Sequence, residues 1–310
     1  MNPSYWQKIK EANFGLSGEA SRELNTDLKP LLKVIENLNQ KGRPLLITKD
    51  WFEKICLETL PYATLVDHTT INVGAFRLEK ITELALEKGF IPTDYFLPID
   101  QSSGMISIVL GHPQWKLHLA INEGLDGWTE HTLKRIRDFH ELLSLLFADK
   151  KILPKIDIEE EEDILTGRKE SPRLYIRLPG CQEFHAIIIN NDYTLSHISE
   201  FVIKHGEGIQ HYAIDVDYLI SPEAPFGHNL EELFHFIKEK NLLPLTSEIM
   251  AGEAGRNPDD LHQVKQFFSG EVGYGFFFEF IERMGQNAKR GLFVANTVLG
   301  LYQAKEKEKK

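Results

Sequence analysis

Apolar positions along the chain recur with two different periods, and the changes between them divide it into modules. Leu31, Ile35 and Leu38 fall on one helical stripe with Leu32 beside it, and Trp51 to Leu60 repeats that spacing. Residues 1–63 are therefore expected to form a helical N-terminal segment. From 64 the pattern becomes strand-like. A strand over 65–73 is followed by a helix over 75–88, with Leu78, Ile81, Leu84 and Ala85 on its apolar face. Gly89 ends that helix, as glycine commonly does just past a C-terminus. Three strands should follow at 95–99, 105–110 and 115–121. The last rests on the alternation of Trp115, Leu117, Leu119 and Ile121 with Lys116, His118 and Ala120.

An amphipathic helix over 129–148 (Leu133, Ile136, Phe139, Leu143, Leu146) completes this first βαβββ-like module, 64–149. The acidic run Glu159 to Asp163 marks 150–171 as a linker. A second module, 172–303, opens with strands at 173–178 and 184–189 and a helix near 194–205. A strand beginning at Gly208 comes next, then a helix over 230–240 capped by Asn229. Strands at 264–268 and 276–282 are expected to pair across a Gly-rich turn at 270–275. The pattern at 291–303 predicts a closing helix, and the Lys/Glu-rich tail, 304–310, is expected to be disordered.

Composition narrows the options without naming a chemistry. The chain has 310 residues, enough for a sizeable core, and a formal charge of −11. That balance argues against nucleic acid, whose non-specific recognition needs a basic surface. The two cysteines, Cys56 and Cys181, make neither a disulfide framework nor a Cys-based zinc site. With no apolar run long enough for a bilayer and no leader-like N-terminus, a cytoplasmic protein without a membrane partner is expected. Oligomeric state is left open, a homodimer being one option.

Three strands carry metal-competent side chains in apolar settings. Gly-Ile-Gln-His-Tyr-Ala-Ile (208–214) presents His211, and Phe-Phe-Phe-Glu-Phe-Ile-Glu-Arg (276–283) presents Glu279. Val-Asp-His-Thr-Thr-Ile-Asn-Val (66–73) presents His68 on the face it shares with Thr70 and Asn72. Glu279 shares a face with Phe277 and Ile281. Burying it is costly unless it is paired or metal-bound; the other reading is a carboxylate facing water from an edge strand. Two histidines and one carboxylate suit a facial triad, which holds non-haem Fe(II) and leaves positions open. His185, on the expected strand 184–189, is the rival first histidine, although the pattern around His68 is absent there.

At these residues the chain resembles 4-hydroxyphenylpyruvate dioxygenase, of the vicinal-oxygen-chelate superfamily. Asp67 to Val73 fits that family's Asp-His-x-x-x-Asn-Val strand, Gly208 to His211 its Gly-(Ile/Val)-Gln-His, and Phe277 to Arg283 its glutamate strand, with Glu282 in place of Gln. Gln266-Phe267-Phe268 is similar to its Gln-Ile-Phe segment, and Gly291-Leu292-Phe293 to the start of its closing helix. A second resemblance is to the 2-oxoadipate dioxygenase/decarboxylase (hydroxyglutarate synthase) family, which also has helices before its first His. Asn72 stands where that family places a carboxylate-binding Arg, and Arg77 is the nearest substitute charge.

These resemblances imply an α+β fold of paired βαβββ modules forming a half-open barrel around a metal. They imply His68, His211 and Glu279 as metal ligands and catalytic residues, with Fe(II) as cofactor. They also imply Gln266, Phe268, Asn72 and Phe293 as substrate-binding residues, with Phe293 and the closing helix as a lid. The reaction they imply is oxidative decarboxylation of a 2-oxo acid by O₂. Two further readings stay open: a non-oxidative isomerase or lyase on the same scaffold, and a binding module that has lost its chemistry.

Overall fold

The computed structural model describes residues 28, 31–38, 44–98, 104–147, 152–159, 173–177, 185–190, 193–218, 229–255 and 258–292. Its centre is an eight-stranded sheet curled into a half-barrel. The first half contains β1 (Val66–Val73), helix α2 (Leu78–Glu87), β2 (Ile91–Phe96), β3 (Met105–Gly111) and β4 (His118–Gly124). The second half contains β8 (Gly208–Asp215), α5 (Leu230–Lys240), β9 (Met250–Ala254), β10 (His262–Phe268) and β11 (Phe277–Met284). Strand order is β2-β3-β4-β1-β8-β11-β10-β9. The halves thus mirror one another, and β1 and β8 meet antiparallel at the middle. In each half the first strand lies parallel to the fourth, β1 with β4 and β8 with β11. The expected architecture of paired βαβββ modules forming a half-open barrel is what the chain adopts.

Helix α1 (Lys49–Thr59) precedes β1, α3 (Glu130–Leu146) follows β4, and α4 (His197–His205) leads into β8. A separate sheet of β5 (Lys155–Glu159), β6 (Arg173–Arg177) and β7 (His185–Ile188) lies between the halves in sequence. Part of the stretch expected as a linker is therefore strand: Lys155–Glu159 pairs antiparallel with β6. His185 belongs to this separate sheet and not to the barrel, which removes it as a rival to His68.

One strand starts three residues later than its alternation predicts. His112 N–H donates to Leu117 O (2.8 Å) and Lys116 N–H to His112 O (2.9 Å), closing a turn in which Lys116 has φ 59°. Trp115 leaves the sheet and stacks on His112 at 4.0 Å. A backbone committed to that turn cannot join the ladder, so β4 begins at His118 and runs on through Asn122 and Glu123. Strand β9, a short edge strand of small and polar residues, has no β-branched run to announce it. Phe293, the rest of the stretch expected as a closing helix, the acids at 160–163 and the tail 304–310 lie outside the described residues.

The barrel's concave face is set by the strand pairings, because directly paired residues project to the same side. Phe276, Phe278 and Phe280 enter the main core under the helices. Glu279, on the alternate positions, faces the concavity. β11 lies between β8 and β10, so Glu279 is on an inner strand and only 4% exposed. The edge-strand reading is thereby excluded.

The floor under β1 is pinned from outside. Glu207, fully buried, accepts hydrogen bonds from Ile47 N–H (2.5 Å) and from Gly74 N–H just past β1 (3.0 Å), and pairs with Arg77 Nε at 3.1 Å. Arg77 also donates to Ile47 O at 2.7 Å. Its charge is committed here, so it does not serve as a carboxylate-binding residue in the site. Replacing Glu207 with Ala is expected to cost about 3 kcal/mol, since two N–H groups lose their acceptor at ~1–3 kcal/mol each. The urea-unfolding midpoint measures this, and a loss below ~1 kcal/mol would contradict the pinning role.

Candidate metal centre

His68, His211 and Glu279 converge. Their donor atoms all lie within 4.8 Å of one another, and all three residues are buried. Glu279 Oε2 is 3.5 Å from His68 Nε2 and 3.4 Å from His211 Nε2. Donors held ~2.1 Å from one ion stand roughly 3 to 3.5 Å apart, so the carboxylate is spaced from both imidazoles as a shared ion requires. The strands explain the convergence: β1 and β8 bring the two histidines to the barrel centre, and β11 packs against β8 with Glu279 opposite Ala213.

Each histidine is held at its far side. A bulge between Val66 and His68 interrupts the β1–β8 register at Asp67. A bulge can re-aim a side chain, and here the Asp67 carboxylate reaches the ring of the next residue: His68 Nδ1 donates to Asp67 Oδ1 at 2.9 Å. That fixes the tautomer and leaves the Nε2 lone pair for the cluster, the usual outer-sphere arrangement of a metal-ligating histidine. His211 stacks on Phe277 at 4.7 Å and 29°, and its Nε2 lies 2.7 Å from Thr70 Oγ1.

Asp67 is fully buried and paired with Arg283, whose Nε and Nη2 donate to its two oxygens at 2.7 and 2.9 Å. Burial by itself raises the Asp67 pKa. The Arg283 charge and hydrogen bonds, with those of His68, outweigh burial and hold it well below the usual carboxylate range. Arg283 Nη1 also donates to Leu292 O (3.0 Å) and to His262 Nε2 (3.2 Å). His262 can accept there because its Nδ1 is turned to Asp260 O at 2.8 Å. His118 is near enough to feel Asp67 and His68, and burial pushes its pKa down to about 4, so it adds no charge at neutral pH.

The pairings also define what surrounds the cluster. Thr70 pairs with Ala120 and Ala213 with Glu279. Since Thr70 lies two residues past His68 and Ala213 two past His211, Ala120 is the counterpart of Glu279 in the first half. A fully buried methyl stands where a fourth donor, a second carboxylate, would be. The donor set thus fits a divalent ion held by three protein groups, with positions left to other molecules.

Beside it runs a polar ladder. Ser107 Oγ donates to Asn122 Oδ1 (2.6 Å), and Asn122 Nδ2 to Asn72 Oδ1 (3.4 Å). All three are buried. Gln266, on β10 opposite Ile281, and Phe268, opposite Glu279, line the other half, the Phe268 ring 6.5 Å from that of His211. Of the residues expected to bind substrate, Asn72, Gln266 and Phe268 are on this face; Phe293 is outside the described residues. Ser107 and Asn122 are additions to the residues expected from sequence, and Thr70 was expected only to share the face of His68. Ser107 left one trace, a lone hydroxyl in an otherwise apolar strand.

No family profile matches the chain, and no curated protein sequence matches it. In three dimensions it is similar to a mutant of 4-hydroxymandelate synthase from Streptomyces coelicolor, at 15% identity and a TM-score of 0.39 over 79% of this chain and 54% of that one. It is also similar to methylmalonyl-CoA epimerase from Mycobacterium tuberculosis, at 14% identity and a TM-score of 0.34 over 72% of this chain and 90% of that one. A xylose isomerase-like TIM barrel/4-hydroxyphenylpyruvate dioxygenase fusion protein is matched at 13% identity and a TM-score of 0.33, over 79% of this chain and 29% of that one. The chain spans about half the length of the synthase, 54%. Likeness at this level says nothing about activity. Among the described residues, no helix is long and apolar enough to cross a membrane.

Proposed function

We propose that the chain is a non-haem Fe(II)-dependent dioxygenase that oxidatively decarboxylates a 2-oxo acid. The observation that carries this reading is the buried His68, His211 and Glu279 cluster with Ala120 in the fourth symmetric position. On a six-coordinate ion, three protein donors leave room for a bidentate acid and O₂ together, whereas four would leave room for the bidentate acid alone. The two resemblances and the apolar walls of the cluster support the same reading. When bound, the metal would polarise the keto acid and bring it together with O₂.

The protein's own residues would do the rest. His68 is kept in the ligating tautomer by Asp67, and His211 is kept in plane by Phe277. Asn72, Asn122 and Ser107 offer neutral donors and acceptors to the distal part of the substrate, and Gln266 does the same from β10. A neutral ladder of this kind suits a hydroxyl or carbonyl better than a second carboxylate, which would call for a cation. Arg77 does not supply one, being tied to Glu207. Phe268 and Phe277 offer flat apolar walls that exclude water from the reacting centre.

Fe(II)-loaded protein is expected to consume O₂ and release CO₂ in equal amounts with at least one member of a panel of arylpyruvates and aliphatic 2-oxo acids. An oxygen electrode with a CO₂ trap reads both. No consumption across the panel would refute the proposal. Turnover under nitrogen with Zn(II), Ni(II) or Mn(II) would point instead to an isomerase or lyase, and failure to take up any divalent ion to a binding module.

A further inference from the structure

We infer that Thr70 is a substrate-binding residue of this centre, its hydroxyl donating to an oxygen of the 2-oxo acid once His211 engages the metal. The inference rests on the metal-centre reading above and adds a residue that neither the motifs nor the three-ligand set names. Thr70 lies two residues from His68 on the same face of β1 and is 1% exposed. Its Oγ1 is 2.7 Å from His211 Nε2. That is the same nitrogen that lies 3.4 Å from Glu279 Oε2. The hydroxyl therefore points at the atom through which His211 would hold an ion.

One lone pair cannot serve both. Nε2 has a single acceptor site in the ring plane, and a metal bond uses it. The His211 ring is held against Phe277, so it does not simply turn aside. The hydroxyl of Thr70, by contrast, rotates about one bond. A buried hydroxyl deprived of its acceptor is costly and needs another. Ala120, paired directly with Thr70 on β4, contributes no side-chain donor of its own beside it. An oxygen atom of a molecule held by the metal beside Ala120 would be the replacement acceptor for Oγ1. A carboxylate or keto oxygen of a 2-oxo acid is the acceptor with the matching chemistry. Thr70 thereby links the loading of the metal to the binding of the acid, because the donor is freed only when His211 is engaged.

The test compares wild type, Thr70→Val and Thr70→Ser under nitrogen by isothermal titration calorimetry. Co(II) is titrated first, then phenylpyruvate, pyruvate and 2-oxoglutarate into the Co(II)-loaded proteins. Valine keeps the shape and loses the hydroxyl; serine restores it. Expected is Co(II) affinity in Thr70→Val equal to or above that of wild type, because a competing hydrogen bond is gone. The tightest-binding oxo acid should weaken roughly ten- to a hundredfold in Thr70→Val and recover in Thr70→Ser. Unchanged oxo-acid affinity in Thr70→Val overturns the inference while leaving the metal centre standing. Loss of Co(II) binding in Thr70→Val also overturns it, by making Thr70 a support for His211. A wild type that takes up Co(II) but none of the three acids overturns it as well. A wild type that takes up no Co(II) overturns the metal-centre reading itself.

Discussion

Glu279→Gln is expected to lower the affinity for Fe(II) or Co(II) by more than a hundredfold while leaving the metal-free fold as stable as wild type or more so. Glu279 is the one anionic donor of the three and is buried among apolar rings. Changing an outer-sphere partner of a metal ligand costs about 10–100-fold, so removing a direct anionic ligand should exceed the upper end. The amide keeps the volume, so packing against Phe268 on β10 is preserved. Without metal, burying a carboxylate among apolar rings is costly, and a neutral amide of the same shape removes that cost. Thermal melts with and without Co(II) separate the effects. Wild type at metal a hundredfold above Kd should gain about 2.7 kcal/mol, and the variant should gain almost nothing. An equal metal-induced rise in both proteins would show that Glu279 is not a ligand.

Arg283→Leu carries the second large effect, this time on the fold. Arg283 and Asp67 are both buried and joined through two hydrogen bonds. Removing the cation leaves a buried carboxylate unpaired, at about 3–5 kcal/mol. Adding Asp67→Asn should recover much of that loss, because the stranded charge is then gone. Urea midpoints of the two single variants and the double variant complete the cycle, and a loss below ~1 kcal/mol for Arg283→Leu would refute the argument. The pH dependence has a definite sign. The Asp67 pKa is depressed in the folded protein. The pair's contribution is therefore fully present above the unfolded carboxylate value, about 3.9, and is lost as pH falls through the lower folded value. The gap between wild type and Arg283→Leu should thus narrow on acidification below about pH 4. Because Asp67 also orients His68, the variant should bind metal more weakly even where it is folded.

Much of the site was legible because its motifs are local. His68 in Asp-His-x-x-x-Asn-Val and His211 in Gly-Ile-Gln-His each announce a polar residue at a strand position that must face inward. The alternation of phenylalanines around Glu279 correctly gave its face. What the motifs could not give was depth. Whether Glu279 met water or the barrel interior depended on β11 being an inner strand, which is a matter of which strands neighbour it. Arg77 illustrates the reverse error. It looked like an available charge at the start of a helix, but Glu207, 130 residues away, had already claimed it.

The sequence by itself determined the two periods and most of the elements, which follow from spacing within a few residues, and its motifs, through their resemblance to known families, pointed to His68, His211 and Glu279; strands β5 and β9 escaped it. The tertiary structure alone decided the rest. It set the bulge that aims Asp67 at His68 and the register that puts Ala120 opposite Thr70. It also assembled the Ser107, Asn122 and Asn72 ladder, and delayed the start of β4 through the His112 turn. The physical reason is that each of these depends on backbone hydrogen bonds between strands far apart in the chain. Local propensity fixes which residues share a face, but only pairing fixes which faces meet.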